Sequence, residues 1–267
     1  MKLVNMEKIL LMDADESFGF RFAKDFAETY DIHLLYPGKG IKNYIESIMS
    51  MEDNFDYIIN NFNIPFYSNN YEYMKMNSGT QEIINSRFKQ GGKILISNQM
   101  VYSSSPQAKI ESAITEPETE YGKSKLYAEK LAEENKDFLI VRSGMIYGKC
   151  TYNIYTDILT AIRGKIPLKL DNSIILNPVL NSDLALVVEK AMKDRESHVI
   201  NVAAGDSMTL YQFGRRLYDS VNTDSCPFIK INAGKVLDYN IDSTRVEKTY
   251  KIKFTDLESI DFLNFMR

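Results

Sequence analysis

Tyr121 and Lys125 stand four residues apart at the start of the stretch Tyr121-Gly122-Lys123-Ser124-Lys125-Leu126-Tyr127-Ala128-Glu129-Lys130-Leu131. On a helix, positions four apart share a face, so the phenol and the ammonium can point into one cleft. A phenol alone titrates near about pH 10, too high for proton work at neutral pH. A neighbouring cation favours the phenolate and brings that value down, which makes the pair an acid/base candidate. The competing reading is a helix surface that carries a tyrosine and two lysines, and the spacing alone does not choose between them.

A cleft needs elements to build it. Apolar runs and amphipathic stretches alternate along the first half of the chain. Lys8–Met12, Ile32–Tyr36, Tyr57–Ile59, Lys93–Ser97 and Phe138–Arg142 read as short buried strands. Phe18–Tyr30, Ile41–Met51, Gln81–Gln90 and the stretch from Tyr121 read as the helices between them. Short continuous apolar strands separated by helices indicate a parallel sheet covered on both faces. Right-handed crossovers then give a doubly wound α/β fold. The C-terminal part is less regular, with helices predicted at Tyr155–Arg163, Asp183–Lys193, Leu210–Val221 and Ser243–Tyr250.

At 267 residues the chain is long enough for a substantial core, as one domain or one domain with a minor lobe. A formal net charge of -4 argues against nucleic acid or an anionic membrane as the main partner. No apolar run approaches membrane-spanning length, and the short segment Ile9–Met12 does not make a signal peptide. Cys150 and Cys226 fit free thiols in a reducing cytoplasm. His33 and His198 fall in separate strand-like segments without a cysteine cluster, so no metal site is expected.

The order of the segments says more than any one of them. After the first strand and helix come Asn77-Ser78-Gly79-Thr80, then Ile96-Ser97-x-x-x-Val101-Tyr102, then the Tyr121–Lys125 motif. Arg142-Ser143-Gly144-x-x-Tyr147-Gly148 and Pro178-Val179-Leu180-x-x-Asp183-Leu184-Ala185 follow, and Ile200-Asn201-Val202 with Gly205 and Ile241-Asp242-Ser243 complete the set. In this order the chain resembles the extended short-chain dehydrogenase/reductases of the NAD-dependent epimerase/dehydratase type. That class includes nucleotide-sugar epimerases and dTDP-4-dehydrorhamnose reductases, and the resemblance covers nearly the whole chain.

The resemblance implies a Rossmann-type nucleotide-binding core over residues 1–150, with 172–204 returning to it. Residues 151–171 and 205–267 would then form a small substrate-side lobe. It also implies NAD or NADP as cofactor and a nucleotide sugar as substrate. Tyr121 would move a proton on or off the substrate oxygen while the nicotinamide takes or gives a hydride. Lys125 would bind the nicotinamide ribose and lower the phenol's pKa. Asn77 matches a position near the cofactor, whereas Arg142, Tyr147 and Asp183 match framework positions. Counting back from Val101-Tyr102 places Asn98 where the family carries the Ser or Thr that holds the substrate oxygen; an asparagine can still donate a hydrogen bond there. Ser97, one residue earlier, is expected on the opposite face of its strand. Family members often form homodimers through the helix that bears the motif, and Leu126, Tyr127 and Leu131 suit that interface or an ordinary core.

The departures from the pattern concern the cofactor. The family's glycine-rich turn falls on Asp13, Glu16 and Gly19, so only the third glycine remains, the one that serves close helix–strand packing. Side chains replace the space glycine leaves for a pyrophosphate. Two carboxylates would also stand beside phosphate charges, a repulsion on the order of several kcal/mol in a partly dry cleft. The same acids would cap and stabilise their own helix. Tyr36 occupies the end of the second strand, where NAD-preferring members carry an acid. Lys39 and Lys42 follow it and would favour a 2′-phosphate, or are simply solvated. No basic pair is dedicated to a sugar-nucleotide diphosphate; Arg163, Lys165 and Lys169 are available but suit a solvated face equally well. Two functions therefore stand side by side. One is an NAD(P)-dependent oxidoreductase or epimerase using Tyr121, Lys125 and Asn98; the other is a non-catalytic binding or regulatory protein on the same fold.

Overall fold

The computed structural model describes residues 6–12, 17–36, 41–63, 74–149, 153–194, 198–221, 225–232 and 234–257. Asp13, Glu16, Lys39 and Cys150 lie outside the described residues. In chain order the first elements are β1 (Lys8–Met12), α1 (Ser17–Phe26), β2 (Asp31–Leu35), α2 (Ile41–Ser50), β3 (Tyr57–Asn60), α3 (Gly79–Arg87), β4 (Gly92–Asn98), α4 (Glu120–Ala132) and β5 (Phe138–Ser143). Then follow β6 (Met145–Tyr147), α5 (Ile154–Gly164), β7 (Leu168–Asp171), β8 (Ile174–Leu176), β9 (Pro178–Leu180), α6 (Asn181–Met192) and β10 (His198–Val202). The last are β11 (Met208–Thr209), α7 (Leu210–Ser220), β12 (Phe228–Ile231), β13 (Leu237–Asp238) and α8 (Thr244–Tyr250).

Six strands form one parallel sheet in the order β10-β5-β4-β3-β1-β2. Because alternate residues face opposite ways, each apolar run feeds two cores. Leu10, Met12 and Ile58 pack into one with Tyr44, Ile48, Ile84 and Phe88. Ile9, Leu11, Ile59, Ile94 and Ile96 pack into the other with Phe18, Phe22, Leu184, Val187 and Val188. The doubly wound α/β fold expected from the strand and helix alternation is the one observed. The strand order reverses between β1 and β3, the place where such sheets open a crevice beyond the carboxyl ends of their strands. The remaining strands form small sheets, β11-β8-β13, β12-β7 and β6-β9.

Two helices differ from expectation by more than two residues at an end, for identifiable reasons. The helix expected over Phe18–Tyr30 ends at Phe26, where the amides of Thr29 and Tyr30 both turn back to the Phe26 carbonyl (2.9 and 3.1 Å). Asp31 already pairs with β1, so the chain must be extended from there, and Tyr30 instead donates its hydroxyl to Glu189 on α6 (2.9 Å). The helix expected over Gln81–Gln90 begins earlier, at Gly79, and ends at Arg87. Phe88 is extended and fully buried against the sheet, and Gly91 turns the chain at a φ of 75°, with its α-carbon too close to the Phe55 carbonyl for any side chain.

Candidate functional site

The Tyr121 motif opens α4 as expected, and the local reasons are legible. Thr119 caps the helix by accepting from the Gly122 amide (3.0 Å). Gly122 is required by packing: a β-carbon there would run into the carbonyl oxygen of Met100, in the tight helical turn Gln99–Val101 that follows β4. The start of α4 is thereby pressed against the end of β4. Tyr121, Lys125 and Glu129 then recur every four residues along the buried stripe of the helix.

The phenol and the ammonium meet the same segment beyond β3. Tyr121 donates its hydroxyl to Asn63 Oδ1 at 3.0 Å. Lys125, only 2% exposed, donates from Nζ to the carbonyl of Phe62 at 3.3 Å and of Ile96 at 3.4 Å. Both residues line a cleft enclosing about 710 Å³ of empty space, open solvent included, at the carboxyl ends of the central strands. Asn61, Asn63, Ser97, Asn98 and Asn153 join them, along with Ser17 at the start of α1 and Ser143-Gly144 at the end of β5. Lys125 is the one formally charged side chain among the described residues lining it.

Asn98 lines this cleft, half-buried, and its Oδ1 accepts from the Met100 amide at 3.0 Å. That cap leaves Nδ2 as its remaining polar group. Ser97 points to the other face, as strand alternation requires, and donates to Glu129 Oε1 at 2.5 Å. Asn77 is buried but absent from the cleft lining. It donates to Ser124 Oγ (3.1 Å), which donates in turn to the Tyr121 carbonyl (2.7 Å), so Asn77 braces the first turn of α4. Gly19 is buried within α1, and Tyr36 lies 48% exposed just past β2, away from the cleft. Lys42 is solvated beside Glu46, and Arg163, Lys165 and Lys169 are exposed.

Behind the cleft lies a buried ionic network. Arg142 on β5 binds Glu129 through Nε (3.1 Å to each carboxylate oxygen) and Nη2 (2.7 Å), and reaches the Tyr102 hydroxyl through Nη1 (2.8 Å). Tyr102 donates to Asn201 on β10 (3.0 Å). Burial pushes the Glu129 carboxyl up from its ordinary range against the pull of Arg142, while Glu129 keeps the guanidinium charged despite its own burial. Burial likewise pushes the Tyr102 phenol up. The network ties α4 to β4, β5 and β10, which fixes where Tyr121 and Lys125 sit. Asp183, also framework, accepts from the amide and hydroxyl of Thr255 (2.7 and 3.1 Å).

The cleft contains residues that the sequence did not single out. Asn60-Asn61-Phe62-Asn63, a run of carboxamides directly after an apolar strand, was the available signal, because the ends of parallel strands are where crevices form. Ser17 and Asn153 carry no such signal. Among the described residues, no group of three His, Cys, Asp or Glu could hold a metal ion, and no helix is long and apolar enough to cross a membrane. The donors present do suit a nicotinamide nucleoside: an ammonium, several carboxamides and serine hydroxyls match ribose hydroxyls and an amide.

Comparison with known proteins agrees with this fold. A family model described as the RmlD substrate binding domain matches residues 69–250. A search among curated proteins gives no match. Among solved structures, a dTDP-4-dehydrorhamnose reductase from Bacillus anthracis in complex with NADP superposes with a TM-score of 0.78 at 16% identity, over 94% of this chain and 95% of that one. A hypothetical dTDP-4-dehydrorhamnose reductase from Sulfolobus tokodaii gives 0.78 at 18% identity, over 95% and 98%. A UDP-glucuronic acid 4-epimerase from Bacillus cereus, in complex with UDP-glucuronic acid and NAD, gives 0.75 at 16% identity, over 93% and 94%. At these identities the superpositions speak to the fold.

Proposed function

Because the chain belongs to the RmlD substrate binding domain family, we propose that it is an NAD(P)-dependent reductase or epimerase acting on a nucleotide-linked sugar. The observation that carries this reading is the meeting of the Tyr121 hydroxyl with the Asn63 side chain and of the Lys125 ammonium with the neighbouring Phe62 carbonyl, in one cleft at the strand ends. Nicotinamide dinucleotide, when bound, supplies the hydride. Tyr121 gives or takes the proton on the substrate oxygen. Lys125 holds the nicotinamide ribose and, as a cation, favours the phenolate. Asn98 donates from Nδ2 to the substrate oxygen, and Asn77 keeps the turn bearing Tyr121 in place. By family position, Asp13, Glu16 and Gly19 are assigned to the phosphates and Tyr36 to the adenosine side. Residues 151–171 and 205–267 form the substrate-side lobe, the setting is a reducing cytoplasm, and exposed Tyr127 on α4 is the candidate contact for a homodimer.

A second reading, a non-catalytic binding protein, is favoured by Asp13 and Glu16, which replace the glycines of the phosphate turn. Calorimetric titration with NADH and NADPH separates the two. Binding in the micromolar range, with turnover of a 4-keto nucleotide sugar that Tyr121→Phe abolishes while leaving cofactor affinity nearly unchanged, supports the enzyme. Absence of binding to either cofactor leaves the non-catalytic reading. In that case Asp13→Gly with Glu16→Gly restores affinity if the two carboxylates are the obstacle.

A further inference from the structure

A phenol has one proton to donate, and in this structure Tyr121 has given it to Asn63 Oδ1. We propose that Asn63 is an internal cap on the Tyr121 hydroxyl, a stand-in for the substrate oxygen that a bound ligand must displace. Tyr121 is 5% exposed on the cleft wall, and losing an acceptor is costly for a largely buried hydroxyl. The amide oxygen of Asn63 is a neutral sp² acceptor, the same kind of atom as a ketone oxygen.

The surroundings anchor the backbone that carries the cap, and the side chain lies on the cleft wall. Phe62, one residue back, is buried with its ring tilted against that of Tyr44, centroids 5.5 Å apart, and its carbonyl accepts from Lys125. The backbone of the segment is thus anchored. Asn63 itself is only half-buried on the cleft wall, and rotation about its side-chain bonds breaks the bond to Tyr121 without moving Phe62. A ligand that brings an acceptor oxygen to Tyr121 restores what the displaced cap supplied. One that lacks it loses the Asn63 bond and gains none in its place, so Asn63 favours ligands with a carbonyl or hydroxyl at that place. The cap stands by itself; its consequence for substrate choice rests on the function proposed above.

The bond is testable without any ligand. In protein carrying ¹³Cζ-labelled tyrosine, the Tyr121 signal is the one absent from Tyr121→Phe. Asn63→Ala and Asn63→Leu should each move that signal and speed exchange of its hydroxyl proton, leaving the other tyrosine signals in place. An unmoved Tyr121 signal in a folded variant overturns the cap, and the two variants differ enough in size that a folding defect in one does not decide the question. Titration with a thymidine-diphosphate-linked 4-keto sugar in the presence of NADPH then reads displacement. Asn63→Ala should bind about 2- to 10-fold tighter, the worth of one net hydrogen bond; equal or weaker binding overturns displacement. If neither protein binds the nucleotides, the proposed function fails, while the spectroscopic result still decides the cap.

Discussion

Glu129 lies two turns along α4 from Tyr121 and carries no role in proton transfer, yet the position of the pair depends on it. It accepts from Ser97 on β4 and from Arg142 on β5, and all three groups are buried. Replacing Glu129 with Gln keeps the shape and removes the charge, leaving the Arg142 guanidinium buried without its counter-ion. Loss of one partner of a buried pair costs about 3–5 kcal/mol, so the urea midpoint of Glu129→Gln should fall by a matching amount. A change below about 1 kcal/mol would show that the guanidinium finds water or another acceptor. The sequence alone read Arg142 as framework from family resemblance but did not supply its partner, because Glu129 looks like any helix acid until the helix face is known.

At the scale of elements, the junction of α4 with the turn after β4 decides whether the cleft has its shape. The Thr119 cap sets the start of the helix, and the missing side chain of Gly122 lets it press on the Met100 carbonyl. Gly122→Ala should destabilise by about 1–3 kcal/mol through overpacking, although alanine is the better helix former. Thermal melting checks the sign: a stabilised variant would mean that the turn retreats freely and does not fix Asn98. The strands and most helices were legible because continuous apolar runs and amphipathic periods carry their own signal. The early end of α1 at Phe26 was not, because it is imposed by the pairing of Asp31 onto β1 and by the bond from Tyr30 to Glu189, a residue 159 positions away.

For the molecule as a whole, the abundance of buried phenols sets an alkaline limit. Burial pushes Tyr239 from 10.0 up to about 12, and pushes Tyr30, Tyr147 and Tyr155 up further. A group whose pKa is higher in the folded state contributes stability below its unfolded pKa and loses it as pH rises. The loss should therefore set in near pH 10 and continue past about pH 12, with Tyr239 alone accounting for about 3 kcal/mol. Unfolding free energy measured against pH, with phenolate absorbance followed in parallel, should show ionisation and unfolding together; phenols that ionise in a still-folded protein would contradict it. The same contrast marks what each level determined. Helix periodicity placed Tyr121 and Lys125 on one face, strand alternation put the Ser97 and Asn98 side chains on opposite faces of their strand, and segment order pointed to the family, since all of these are local or sequential properties. Only the tertiary structure showed that Asn63, distant in sequence, holds the Tyr121 proton, that Asn77 braces a helix turn, and that Glu129 anchors the stripe. Those contacts join residues from different strands and helices, and no periodicity within one element encodes which side chains its neighbours bring to meet it.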